Sequence, residues 1–216
     1  MFAGHFAAGV ALKGADNRVP LWALLAGVQF VDIFAMIFVL LGIERMDVVP
    51  GFTATNDLDM FMPYTHSLVM TPLWAALGAG LYKLYDKKAD RKALLVIAAA
   101  VACHWPLDLI VHVPDMPIFF SQDLTVGFGL WNMPLVTIAI ETIIVVAAIA
   151  IYYRTAMQRV KLLPVLIALF ALLGFFAIHG LFMQIPMQDS VTGAIMGLVF
   201  FLGFPVLAYF AEHREA

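Results

Sequence analysis

The chain has 216 residues, of which 63% are hydrophobic and 12% charged, with a formal charge of −3 and a mean hydropathy of +0.96. Soluble domains carry about twice that share of charge, so the composition excludes a soluble enzyme and a basic nucleic-acid-binding module. The net charge decides little, because in a membrane protein the sidedness of charge matters more than its sum.

The predicted fold class is all-α: a polytopic membrane helix bundle of about six transmembrane helices plus a short N-terminal half-membrane segment, forming one integral membrane domain over 1–216. The short segment, Phe2 to Leu12, covers too few residues to cross ~30 Å of hydrocarbon. No basic stretch precedes it, so a cleaved signal peptide is not expected. Six apolar blocks follow, at 21–43, 64–85, 93–113, 134–153, 162–183 and 191–211. Pro20, Pro63, Pro134 and Pro164 fall at or near block starts, where a missing N–H does least harm. Motif-bearing residues fall within 1–145; 162–211 supplies two additional helices. The single Cys103 cannot close an intramolecular disulfide.

Cations set the expected orientation. Lys13, Arg18, Lys83, Lys87, Lys88, Arg91, Lys92, Arg154, Arg159, Lys161 and Arg214 all fall on one side of the predicted bundle, leaving Arg45 on the other. The positive-inside rule makes the first side cytoplasmic, C-terminus included. Glu44, Asp47, Asp57, Asp59, Asp115, Asp123 and Asp189 fall on the opposite side.

Ionisable residues inside the apolar blocks carry the functional reading, since each is costly at mid-bilayer. At ~1.5 Å per helical residue, Asp32, His66, His104, Asp108 and Glu141 all lie ~18–25 Å above the cationic flank, with His5 ~12 Å above Lys13. His104, Asp108 and His112 are spaced i, i+4, i+8, which stacks them on one helical face. An imidazole and a carboxylate one turn apart can share a metal ion; they can equally be a hydrogen-bonded pair joining helices. Pro106 is expected to kink this helix and tilt His112 away. Asp32, beside Gln29, suits a ligand or a polar contact within the bundle. In Thr65-His66-Ser67 either hydroxyl can cap a helix or orient the imidazole; a solvated interfacial His is the alternative. Glu141 stands alone on an apolar block, so a metal, a His or a water is expected near it. In Gly127-Phe128-Gly129-Leu130-Trp131-Asn132 the glycines permit a tight turn, and Asn132 can point into the site. His179 reads as structural or proton-handling.

His5, Asp32, Thr65-His66-Ser67, His104-x-x-x-Asp108 and His112-x-Pro114-Asp115 together resemble bacterial inner-membrane proteins described as membrane-bound metal-dependent hydrolases. The resemblance covers roughly 1–145. In ligand order the chain is more distantly similar to zinc-dependent phospholipases C and related single-strand nucleases, which are helical and hold clustered zinc. That likeness implies His5, Asp32, His66, His104, Asp108 and His112 as metal ligands, with Asp108 bridging. A terminal Trp amine and a later His-x-x-x-acid pair, both used by those enzymes, have no counterpart here, which implies one or two ions rather than three.

The resulting expectation is a multi-pass protein of the bacterial inner membrane. It hydrolyses a phosphoester, of a lipid or a small molecule, at the non-cytoplasmic half of the bilayer. The cofactor is a divalent metal: zinc by the nature of its N and O donors, with manganese or iron as alternatives. Glu141 or Asp115 would serve as general base or proton relay. Membrane lipids are the expected partners, and the sequence leaves oligomeric state open. Two other classes fit the same residues: a divalent-metal or proton transporter, and a structural or assembly subunit.

Overall fold

The fold is that of a computed structural model, which describes residues 2–155, 163–182 and 189–213. The helices are α1 (Phe2–Leu12), α2 (Leu21–Val28), α3 (Phe30–Leu40), α4 (Thr71–Tyr85), α5 (Arg91–Ala102), α6 (His104–Val111), α7 (Pro134–Thr155), α8 (Leu163–Phe182) and α9 (Ser190–His213). Two small antiparallel hairpins sit among them. β1 (Arg45–Val48) pairs with β2 (Leu58–Phe61), placing Asp47 opposite Asp59, and β3 (Met116–Pro117) pairs with β4 (Thr125–Val126).

The expected six spans are not found among the described residues. Among the described residues three helical stretches are long and apolar enough to cross a membrane: Arg91–Val111, Pro134–Thr155 and Ser190–His213. A fourth is obtained if α2 and α3, bent by 51° at Gln29, count as one broken span. The block at 64–85 fails because its first seven residues do not join the helix. Tyr64 to Ser67 form a turn, Leu68–Met70 a single 3₁₀ turn, and α4 starts only at Thr71, with Pro72 in its first turn. Its 15 residues rise about 22 Å, short of ~30 Å of hydrocarbon. In the block at 162–183 the described apolar stretch is the short Leu166–Phe175. An apolar run measures hydrophobic length, and here part of that length is spent on irregular backbone.

α1 lies inside the bundle against α2 and α7, with Ala3, His5, Phe6, Ala7 and Val10 all buried. A helix apolar on all sides has no face to give to water. Phe6 and Val10 join Leu21, Leu24, Leu25, Val28, Ile97, Ala100, Tyr152 and Phe204 in the main core. Away from that core, Leu73, Leu77, Leu81 and Leu84 of α4, Leu135 and Ile143 of α7, and Val199 and Val206 of α9 are exposed. Apolar surface on this scale marks a face covered by lipid or by another chain.

The two ends of the bundle differ in chemistry. At one end Lys13, buried at the end of α1, donates to the carbonyls of Asn17 and Val19 at 3.0 and 2.7 Å and to Glu212 at 3.3 Å. Glu212 in turn accepts from the first amides of α2, Leu21 and Trp22, tying α9 to α2. Burial lowers the Lys13 pKa, and the Glu212 carboxylate opposes that fall. Arg18 grips Asp16 through two hydrogen bonds of 2.9 and 2.7 Å and reaches Asp90 at 2.8 Å. Those bonds hold both carboxyls below their ordinary pKa. The other end carries both hairpins and the loops that close over the polar cluster. There Arg45 pairs with Asp47 and Asp59.

Candidate metal centre

Asp32, His66, His104 and Asp108 come together from α3, the turn before α4, and α6. Each offers one donor atom, and the four atoms lie within 4.8 Å of one another. His66 Nε2 is 3.2 Å from Asp32 Oδ1 and 3.7 Å from Asp108 Oδ2. His104 Nε2 is 3.4 Å from Asp32 Oδ1 and 2.8 Å from Asp108 Oδ2. Bonds of ~2.1 Å to a tetrahedral ion separate its donors by about 3.4 Å, so these spacings are those of a coordination shell. His66, His104 and Asp108 are 6%, 1% and 2% exposed, which removes water as an alternative solvent for the charges.

The second nitrogen of each imidazole decides what the first can do. His104 Nδ1 is 2.7 Å from the Val28 carbonyl, which can only accept, so Nδ1 carries the proton. In the neutral ring Nε2 then presents a lone pair. That nitrogen is buried and makes no hydrogen bond, with Asp108 Oδ2 2.8 Å away. His66 Nδ1 is 2.8 Å from Thr65 Oγ1, whose own proton goes to Glu44 Oε2 at 2.7 Å. Nδ1 is therefore a donor, and His66 Nε2, hydrogen-bonded to Asp32 Oδ1 at 3.2 Å, is the nitrogen that faces the carboxylates. Two imidazole nitrogens and two carboxylates converging in a buried space fit a divalent cation, and fixing a ring through its other nitrogen is how ligating imidazoles are oriented.

Local backbone explains why the cluster forms. At Gln29 the break between α2 and α3 presents the Val28 carbonyl to His104. With its nitrogen turned toward the acceptors, the buried Gln29 amide donates to Asp32 Oδ2 at 3.2 Å, leaving Oδ1 for the histidines. The Arg91–Val111 stretch is interrupted at Cys103 between α5 and α6, three residues before Pro106, whose missing N–H takes a rung from the helix. His112, expected to tilt away, stays on the face shared with Asp108: its Nε2 is 4.0 Å from Asp108 Oδ2 and its Nδ1 2.9 Å from Asp115 Oδ1. The second Asp115 oxygen is buried without a hydrogen bond. The Trp131 ring lies 4.0 Å from the His112 ring.

The remaining expected residues surround the tetrad in other ways. His5 stacks on His104 at 3.9 Å between ring centroids, and its Nε2 is 3.3 Å from both the His104 carbonyl and Asp108 Oδ1. A carbonyl only accepts, so His5 donates from Nε2 and supports the cluster from its flank. Glu141 accepts from the Ala3 amide at 2.9 Å, a carboxylate at the N-terminus of α1 rather than a member of the tetrad. A metal, a His or a water is the companion expected from sequence; the partner found is a backbone N–H. Asn132 does not point into the site; it is exposed and accepts from the Ala54 amide at 3.2 Å, joining two loops. The His179 side chain lies outside the described residues.

Comparison of the chain with known protein families, curated proteins and solved structures finds no match. What can be said of it therefore rests on these residues. The tetrad is a buried site capable of coordinating one divalent metal beside a membrane-length helix.

The sequence passes over three groups that shape the centre. The Val28 carbonyl and the Trp131 ring have no signal in spacing. Glu44 is grouped with the loop acids, yet it is 6% exposed and bonded to Thr65.

Proposed function

We propose that the chain is a membrane-embedded, metal-dependent hydrolase acting on a phosphoester, with a lipid as the natural substrate. The reading rests on the convergence of the His66 and His104 Nε2 atoms with the Asp32 and Asp108 carboxylates. Zinc suits this donor set best, with manganese and iron as the alternatives. A divalent ion held there supplies Lewis-acid polarisation of a phosphoryl oxygen and acidifies water. Asp115 keeps the His112 proton on Nδ1, so that His112 Nε2 faces the centre as a base. His5 holds Asp108, and Gln29 holds Asp32, in the orientation that binding requires.

Two adjoining grooves at the hairpin end support a lipid substrate. One, of about 410 Å³, is lined by Phe38, Leu73, Trp74 and Leu77 and is wholly apolar. The other, of about 510 Å³, is lined by Glu44, Arg45, Asp47 and Phe120. Ile43 and Tyr64 border both, so an acyl chain and a headgroup have neighbouring places within two residues of His66. By the positive-inside rule this end faces the non-cytoplasmic side of a bacterial inner membrane.

Purified protein should hold one equivalent of zinc or manganese by elemental analysis, lose it in His104→Ala and Asp108→Ala, and cleave a reporter phosphodiester only when loaded. Metal bound without cleavage, together with metal flux in liposomes, would replace the hydrolase by a transporter. Absence of both binding and flux would leave a structural subunit.

A further inference from the structure

Glu44 follows α3 at the hairpin end and has no place in the tetrad, yet it is buried, and among the described residues every hydrogen bond to its carboxylate comes from one short segment. Its Oε1 accepts from the amides of Tyr64 and Thr65 at 2.8 and 2.9 Å, and its Oε2 accepts from the Thr65 hydroxyl at 2.7 Å. Thr65 Oγ1 has one proton, and Glu44 takes it. The oxygen is left as an acceptor toward His66 Nδ1 at 2.8 Å. We infer that Glu44 is a positioning residue that acts through the Thr65 hydroxyl to keep a proton on His66 Nδ1, which leaves Nε2, beside Asp32, as the nitrogen that a metal would take.

This rests on the metal reading of the tetrad and deepens it, because it assigns a residue that sets affinity without touching the ion. The arrangement has a direction. Replacing the carboxylate by an amide of the same shape keeps the two backbone amides satisfied only if the amide oxygen stays on their side. The amide nitrogen then faces Thr65 Oγ1 and donates to it, which turns the hydroxyl proton toward His66 Nδ1. The imidazole proton moves to Nε2, the nitrogen the metal needs. Turning the amide over instead sets its NH₂ group against two N–H donors and gains nothing. One oxygen-to-nitrogen exchange, two hydrogen bonds from the ring, thus inverts the tautomer.

The test uses full-length protein in detergent micelles, with Glu44→Gln, Thr65→Ser and Thr65→Val compared with wild type. Titration with Zn²⁺ should show affinity about 10–100-fold weaker in Glu44→Gln and Thr65→Val, and restored in Thr65→Ser, which keeps the hydroxyl. In metal-free protein ¹⁵N spectra should show a proton on His66 Nδ1 in wild type and Thr65→Ser. Glu44→Gln should move it to Nε2. A merely structural Glu44 would lower the melting temperature without moving the tautomer. Persistence of the Nδ1 proton in Glu44→Gln, or unchanged zinc affinity in Thr65→Val, overturns the inference. If Glu44→Gln does not fold, the Thr65→Val and Thr65→Ser pair decides alone. Failure of wild type to bind zinc refutes the metal reading, while the tautomer spectra still judge the role of Glu44.

Discussion

Gly127→Ala is the substitution whose cost can be worked most directly. A Cβ at this position would lie 2.1 Å from the Val113 carbonyl oxygen and 2.4 Å from that of His112, both backbone atoms. Ordinary contact needs a little over 3 Å, so the strand and the end of α6 must part by roughly 1 Å. Two hydrogen bonds hold that junction: Phe128 N to Leu109 O at 2.8 Å and Gly129 N to His112 O at 2.7 Å. Losing both at about 1 kcal/mol each, with overpacking strain of about 1–2 kcal/mol, gives about 3–4 kcal/mol. For a chain of this size that lowers the melting temperature by roughly 5–15 °C, read by circular dichroism in detergent at one fixed scan rate. Gly129→Ala is the control: it has φ of +74° and open space around it, so it should cost only about 1–2 kcal/mol, from backbone conformation. A Gly127→Ala protein melting within 2 °C of wild type, or above Gly129→Ala, would refute the steric account. It would also detach the Trp131 loop from the end of α6.

Three further outcomes can be checked on the same material. Asp108→Asn keeps the volume of the side chain but removes the carboxylate near four imidazoles; zinc affinity by titration should fall by more than the ~100-fold upper range of an outer-shell change. Lys13→Met should destabilise the protein by about 3 kcal/mol in thermal unfolding, because Glu212 loses its buried partner while still holding α2. Arg18 hydrogen bonds depress the Asp16 and Asp90 pKa values in the folded state, so their stabilisation is complete above the unfolded carboxyl range. It fades as pH falls below about 4 toward the folded values, and Arg18→Met should remove this acid-limb component from melting curves recorded between pH 7 and 3.

Much of the centre is legible in sequence because charge in an apolar block is conspicuous and the helical repeat is exact enough to align it. His104 and Asp108 face one way by spacing alone, and Asp32 and His66 stand out as ionisable residues in apolar blocks, although the helical rise used to place His66 fails because α4 starts only at Thr71. Thr65 as an orienting hydroxyl follows from its place beside His66. Span number is less legible, since Tyr64 to Met70 are as apolar as a helix start but are folded around the site, with Trp74 Nε1 bonded to the Tyr64 carbonyl at 2.7 Å. The role of Glu141 escapes for a different reason: its partner is the Ala3 amide, 138 residues away, and no local pattern announces a backbone N–H.

The short α4 has a consequence for the membrane around the protein. Its exposed leucines make a wall about 22 Å tall on one flank, whereas α7 and α9 stand 22 and 24 residues long. A bilayer meeting unequal walls becomes thinner beside the lower one. On the lipid reading proposed above, headgroups on that flank would then lie nearer Tyr64, two residues from His66, and a substrate anchored in the leaflet would have a shorter way to the centre.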